Sequence, residues 1–349
     1  MSENNSINST VDKTKEAISS ILEKLKSARD KKFVFLLVGR TGVGKSSTIN
    51  SLMGKEIAQV GHYEPTTMKV KYYESEINGI DFTVIDTPGL CDEIEEAGND
   101  EKYLEDMRSK VKHIDSMWFV SRLDDTRVTA DEKRGIKLIS NTFSPKVWEH
   151  AVIVFTHANS MAEPRYQEAL EKRTELIKRE IGKYANANIV NSIPSVAVDN
   201  TSKTTPDKEE WLGELYTKVF LQISDHGILP FLMATADSVK PLQTKPQANK
   251  QNNNNSHSNN SHSHSTREHN RSFHTDTFGK TQKEEKWQEP RIKINEVQKK
   301  VIKKKIIDAG IIPTLAITGS VIGAGFGPVG AAIGGVVGAA VGFFSWLWS

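Results

Sequence analysis

Cysteine is nearly missing from this sequence: the chain has 349 residues and one cysteine, Cys91. No intrachain disulfide can form, and a reducing compartment is the natural setting for the soluble part. Net charge is nearly missing too. Lys and Arg number 46 against 44 Asp and Glu, a formal balance of +2. Such a balance exerts no long-range pull on polyanions, so no nucleic-acid partner is expected. The stretch Met1 to Thr14 is polar and lacks an apolar core, so no secretory signal is expected. Charge is absent altogether from the last 41 residues, Ala309 to Ser349. Large apolar residues are scarce between 241 and 290, where Asn, His, Ser and Gln dominate.

What is present is sharper. Gly39-Arg40-Thr41-Gly42-Val43-Gly44-Lys45-Ser46 reads G-x-x-x-x-G-K-S, a phosphate-binding loop. It follows the apolar run Phe33 to Val38 and precedes an amphipathic stretch from Ser47 to Met53. Strand, glycine loop and helix in that order aim successive N–H groups at a phosphate at a helix N-terminus. Lys45 is expected to reach the β- and γ-phosphates, and the Ser46 hydroxyl to hold Mg²⁺; Ser47 lines the same turn. Thr66 or Thr67, in Pro65-Thr66-Thr67 ahead of the next strand, is the expected closing ligand for Mg²⁺ and the γ-phosphate, with Thr67 preferred; ordinary turn residues are the alternative.

Two strands joined by Asn78-Gly79 form an expected hairpin. The second runs into Asp86-Thr87-Pro88-Gly89. Downstream of a phosphate loop, that D-T-P-G places Asp86 toward the metal and the Gly89 N–H toward the γ-phosphate. Leu90 follows, where small GTPases place a water-orienting glutamine. Leucine cannot orient water, so hydrolysis should be slow without outside help. Further strands are expected at Met117–Val120, Ala151–Phe155 and Ile193–Val198, alternating with helices. The fold class that follows is α/β, an open sheet around a phosphate loop with its ligand at the strand C-termini.

A guanine pocket wants a carboxylate facing the N1–H and N2–H donors. The usual N/T-K-x-D is absent. In its place stand Thr156-His157-Ala158-Asn159, with Asp199-Asn200 after the next strand. His157 is expected against the base and Asp199 is expected to accept from it; a simple capping turn is the alternative for Asp199-Asn200.

The run Ser121-Arg122-Leu123-Asp124-Asp125-Thr126-Arg127-Val128, with Asp131-Glu132, Trp148 and Phe155-Thr156-His157-Ala158, resembles the chloroplast outer-envelope import GTPases and their AIG1-type relatives over about residues 15–225. The resemblance implies a Ras-like sheet of about six strands, and a GTPase domain that takes GTP and GDP as ligands and Mg²⁺ as cofactor. It implies Thr156 and His157 at the base, with Asp199 and Asn200 reading guanine. It also implies a homodimer across the nucleotide face, in which Arg127 reaches the partner's nucleotide. A surface salt bridge is the alternative role for Arg127.

The remainder divides by composition. Residues 1–30 form a polar segment and helix, 31–240 the GTPase domain, and 241–290 a low-complexity linker in which His257, His262, His264, His269 and His274 sit. Residues 291–308 are basic, with Lys299, Lys300 and Lys303 to Lys305 suited to an anionic membrane surface. Residues 309–349 hold a 20-residue apolar run, Val329 to Trp348, with Gly330, Gly334, Gly338 and Gly342 spaced every four residues. That length and stripe predict a glycine-rich membrane anchor with the GTPase on the cytosolic face. A glycine-rich helix buried in a soluble assembly is the competing reading. Two further functions stay open: a glycine-zipper membrane oligomer regulated by nucleotide, and an organelle protein-import receptor.

Overall fold

Strand β1 (Phe33–Val38) is buried along its whole length. Alternate residues therefore point into two different cores. Phe33, Phe35 and Leu37 enter one apolar cluster, and Val34, Leu36 and Val38 enter the other. A strand buried on both faces reads as a continuous apolar run, and it sits mid-sheet between helical layers. The computed structural model describes residues 16–60, 70–87, 105, 107–239, 291–312 and 335–348.

Around β1 lies a six-stranded sheet in the order β2-β3-β1-β4-β5-β6. The other strands are β2 (Lys71–Ile77), β3 (Ile80–Asp86), β4 (Ser116–Arg122), β5 (Ala151–Thr156) and β6 (Ser195–Ala197). Only the β2–β3 pair is antiparallel. Its turn has Asn78 at φ 51° and Gly79 at φ 70°, the two left-handed residues that a tight hairpin needs. The expected α/β phosphate-loop architecture is therefore observed, with a mixed sheet. The last strand is shorter than the apolar run from Ile193 to Val198 predicts.

The helices are α1 (residues 16–28), α2 (Lys45–Met53), α3 (Ala130–Phe143), α4 (Glu163–Ile181), α5 (Ala187–Ser192), α6 (Trp211–Gln222), α7 (Ile228–Val239), α8 (Glu296–Asp308) and α9 (Gly335–Trp348). Thr129 starts α3 with a reciprocal cap: its hydroxyl accepts from the Glu132 N–H while Glu132 returns to the Thr129 N–H. Helix α7 lacks a polar face over most of its length and was not anticipated. Phe231 on it stacks 5.5 Å from Tyr216 and 5.5 Å from Phe33, so α7 closes the aromatic core under β1. Burial raises the Tyr216 phenol far above its ordinary pKa.

The tail departs from the membrane-anchor expectation. No helix among the described residues is long and apolar enough to cross a membrane. Helix α9 packs on α7, with Phe343, Phe344 and Leu347 fully buried in the core that also holds Phe33 and Phe231. Helix α8 packs on α6. Its lysines face protein as well as solvent: Lys299 lies 5.1 Å over the Trp346 ring, Lys303 lies 5.9 Å over Trp348, and Lys305 pairs with Asp225 at 3.6 Å. An apolar helix satisfies the same sequence pattern in lipid or in a protein core, and the described part of this one is in a core. Residues 313–334, with Gly319, Gly323, Gly327, Gly330 and Gly334, lie outside the described residues, as does the linker 241–290.

Phe231→Ala should destabilise the domain by about 3–5 kcal/mol in denaturant unfolding, because it removes a ring that bridges β1, α6 and α7.

Candidate functional site

Three loops meet at the C-terminal edge of the sheet. The phosphate loop leaves β1 with Gly39 at φ 154°, and a Cβ there would lie 2.2 Å from the Val120 carbonyl oxygen of β4. Only glycine lets the loop sit that close. At the other end Gly44 caps α2 in the left-handed region, at φ 95°. A Cβ on Gly44 would meet the Asn200 amide at 3.3 Å and the Thr156 methyl at 3.5 Å. The loop is thus fitted against the two segments expected to hold the base.

Lys45 is 6% exposed, and its ammonium donates to the carbonyls of Gly39 at 2.9 Å and Arg40 at 3.1 Å. Asp86 Oδ1 stands 3.5 Å from the same nitrogen. That oxygen is buried and accepts no hydrogen bond among the described residues. A buried carboxylate oxygen without a partner is costly unless a cation or water serves it. Ser46 opens α2 beside Lys45, so two of the three expected metal residues, Ser46 and Asp86, offer a hydroxyl and a carboxylate. Hard oxygen donors of this kind suit Mg²⁺.

The second segment is tied to the first by one hydroxyl. Thr156 Oγ1 lies 2.7 Å from the Val43 carbonyl and 3.2 Å from the Ser121 carbonyl. His157 follows at φ 57°, ψ 37°, a left-handed conformation unusual for a side-chain-bearing residue. It is half-buried and starts the short turn Ala158–Ser160. The third segment is tied on both sides. The Asn200 amide donates to Thr48 Oγ1 at 2.9 Å and accepts from Ser51 Oγ at 3.3 Å, both on α2. Asp199 Oδ2 accepts from the Asn159 N–H at 2.9 Å, and Oδ1 accepts from the Thr201 N–H at 2.9 Å and from the Thr201 hydroxyl at 2.5 Å. Burial pushes the Asp199 carboxyl up, but these donors and the nearby His157 outweigh it and hold it below the usual aspartate range. The capping-turn alternative therefore describes real bonds. With three donors already on it, this carboxylate keeps about one free lone pair, on Oδ2.

The expected site residues Gly39 to Ser47, Asp86, Thr156, His157, Asp199 and Asn200 are thus on adjoining segments. Arg127 is apart from them, exposed in the loop between β4 and α3. It makes none of the ion pairs found among the described residues, whereas its neighbour Arg122 is locked to Asp124 at 2.7 Å. Thr67 and Gly89 lie outside the described residues.

Sequence reading passed over several supports. Thr48 receives Asn200 and also donates to the Gly44 carbonyl at 2.8 Å. Arg40 reaches Asp131 at 3.2 Å, joining the phosphate loop to the start of α3. Arg173 on α4, 3% exposed, holds Glu132 at 2.8 Å and Ser121 Oγ at 2.6 Å, and Ser121 donates to Glu132 in turn. This buried triad braces β4 behind the loop. A threonine or an arginine on a helix gives no sequence signal of such a bond, because its partner is set by packing.

The chain also matches known proteins. The AIG1 family model matches residues 34–251. Translocase of chloroplast 34 from Pisum sativum is 28% identical over 209 residues, 56% of this chain and 65% of that protein. GTP-binding protein A from Dictyostelium discoideum is 34% identical over 156 residues, 44% of this chain and 34% of that protein. The match therefore spans less than two thirds of either relative. Among solved structures, Toc33 from Arabidopsis thaliana in complex with GDP and Mg²⁺ aligns at a TM-score of 0.47 and 26% identity, covering 62% of this chain and 91% of that one. With a family model matching well over half its length, this chain belongs to the AIG1 family.

Proposed function

We propose that the chain is a GTP-binding protein that hydrolyses GTP to GDP with Mg²⁺ and self-associates through its nucleotide face. The observation that carries the reading is the Lys45–Asp86 pair: a buried ammonium held on loop carbonyls, 3.5 Å from a buried carboxylate oxygen that accepts no hydrogen bond among the described residues. A phosphate chain displaces the carbonyls from Lys45. Ser46 and Asp86 would hold Mg²⁺, which would supply positive charge to the phosphate oxygens. Gly39 to Ser47 cradle the phosphates through backbone N–H groups, with Thr67 and Gly89 completing the γ-phosphate side. His157 packs on the base, and the free Oδ2 lone pair of Asp199 reads guanine, with Asn200 fixing that loop to α2.

Lys45→Ala should weaken GTP binding by roughly 100-fold, since charge-assisted hydrogen bonds to phosphate are lost. Isothermal titration would check it. Asp199→Asn should shift preference from GTP toward xanthosine triphosphate, whose C2 oxygen accepts where guanine donates. The same variant should lose stability at neutral pH and little in strong acid. The Asp199 pKa is lowered by folding, so its contribution is present above the ordinary aspartate range and disappears as pH falls through its folded value.

Arg127 is proposed to act in trans. Leu90 offers no water-orienting group, and an arginine crossing a dimer interface supplies positive charge to the transferring phosphoryl group. Turnover per chain should rise with protein concentration. In Arg127→Ala it should stay flat, at least about tenfold below the wild-type plateau. A wild-type rate independent of concentration rules out the trans role.

Membrane attachment and an import-receptor role are narrower proposals. The uncharged tail supports attachment, but α9 must leave α7 to enter lipid, exposing Phe343, Phe344 and Leu347. Flotation of the full chain with anionic vesicles tests this. A chain that stays at the bottom of the gradient with and without GTP ends the anchor reading.

A further inference from the structure

At the opposite pole from the nucleotide loops, where β4 begins, a second cluster of chemistry-bearing side chains gathers around Asp115. Its side chain is 1% exposed and lies between two imidazoles. His113 Nε2 is 3.2 Å from Oδ2, and His226 Nδ1 is 3.2 Å from Oδ1. The two rings stand 4.9 Å apart at 70°, and all three ligand atoms fall within 4.8 Å of one another. We propose that His113, Asp115 and His226 form a binding site for a zinc-class divalent cation.

Three observations carry this. The first is orientation. The Val34 N–H donates to Asp115 Oδ2 at 2.9 Å and the Ser224 hydroxyl to Oδ1 at 2.6 Å. Each oxygen has about two lone pairs, so one on each remains, facing an imidazole. Supporting hydrogen bonds of this kind aim a ligating carboxylate. The second is charge. The ion-pair partners of this buried carboxylate among the described residues are the two histidines and no lysine or arginine. A divalent cation supplies the missing positive charge when the imidazoles are neutral. The third is spacing. Tetrahedral zinc with bonds of about 2.0–2.1 Å separates neighbouring ligand atoms by roughly 3.3 Å. Each carboxylate oxygen has one histidine nitrogen near that distance, at 3.2 Å, and binding through a single oxygen requires the other nitrogen to close on it as its half-exposed ring turns. Two nitrogens and one carboxylate favour zinc over Mg²⁺ or Ca²⁺, which prefer all-oxygen sites. His113 Nε2 also lies 3.2 Å from the Lys32 carbonyl, a contact that metal binding would replace.

The site would fasten two separate segments, the start of β4 and the loop between α6 and α7, against the Val34 N–H of β1. Its effect is therefore read as stability. Metal-free full chain is titrated with zinc chloride alone, and its unfolding temperature is compared with those of His113→Gln and His226→Gln. Both histidines are substantially exposed, so both variants should fold. The wild type should rise by roughly 5 °C at saturating zinc. Each variant should bind zinc at least about 100-fold more weakly and show no rise at the same concentration. The linker histidines and Cys91 are unchanged in both variants, so zinc held there would shift all three proteins equally. An equal shift overturns the proposal, and so does a wild type that zinc does not stabilise. Neither result bears on nucleotide binding at the other pole.

Discussion

The nucleotide edge of this protein depends on how closely one loop can approach one strand. Gly39 rests against the Val120 carbonyl with no space for even a methyl group. That approach lets the Thr156 hydroxyl reach the Val43 and Ser121 carbonyls from β5. Loop and strands then share a set of short bonds, and the base-side segments follow: Asn159 is held by Asp199, and Asn200 by α2. Moving the loop outward by the width of a side chain would break the Thr156–Val43 bond that ties it to β5. Behind it the Arg173–Glu132–Ser121 triad is buried, where losing one partner strands a charge. The stiffness of β4 is thus built from the helix side, while the chemistry is carried on the loop side.

Much of this was legible because local chemistry and global position agree. The β1 run, the glycine spacing and Asn78-Gly79 each require a particular backbone, and no tertiary partner is needed to read them. Asp199 was legible as a carboxylate in the right loop but not as one nearly saturated. Its donors, Thr201 and the Asn159 N–H, come from its own turn and from a segment distant in sequence. Arg127 was legible only through resemblance, since an exposed arginine in a loop has no physical signature of its own. The His113–Asp115–His226 cluster gave no signal either: His226 is far along the chain, and the α6–α7 loop delivers it.

The tail shows where sequence periodicity fails in principle. Helix α9 is apolar around its circumference, and such a helix is equally content against lipid or against protein. Length is the usual arbiter, but the glycine-rich run from Val329 to Trp348 does not reveal which part is helical. The lysines of α8 added to the ambiguity. A basic cluster beside an apolar block reads as a headgroup-facing patch, whereas Lys299 and Lys303 lie over the rings of Trp346 and Trp348. Cation–ring contacts and headgroup contacts draw on the same residue types in the same order. Only the existence of a receiving surface on α7 separates them, and that helix was itself hidden by its lack of a polar face.

The packed tail also changes what counts as the nucleotide domain. Arg291, at the start of the C-terminal segment, donates to the carbonyls of Ser51 at 2.6 Å and Leu52 at 2.8 Å. Those carbonyls belong to the last turn of α2, the helix whose first residues are Lys45 and Ser46. A guanidinium there satisfies acceptors that the helix itself leaves open and opposes the negative end of its dipole. Burial lowers the Arg291 pKa without threatening its charge, because arginine holds its proton far above neutrality. On its other side the Ile292 N–H donates to the Ser238 carbonyl at the end of α7, the helix on which α9 lies. One short segment therefore touches the phosphate-loop helix and the seat of the apolar tail together. The C-terminal segment is thus part of the packing around the phosphate-loop helix and not an appendage to it.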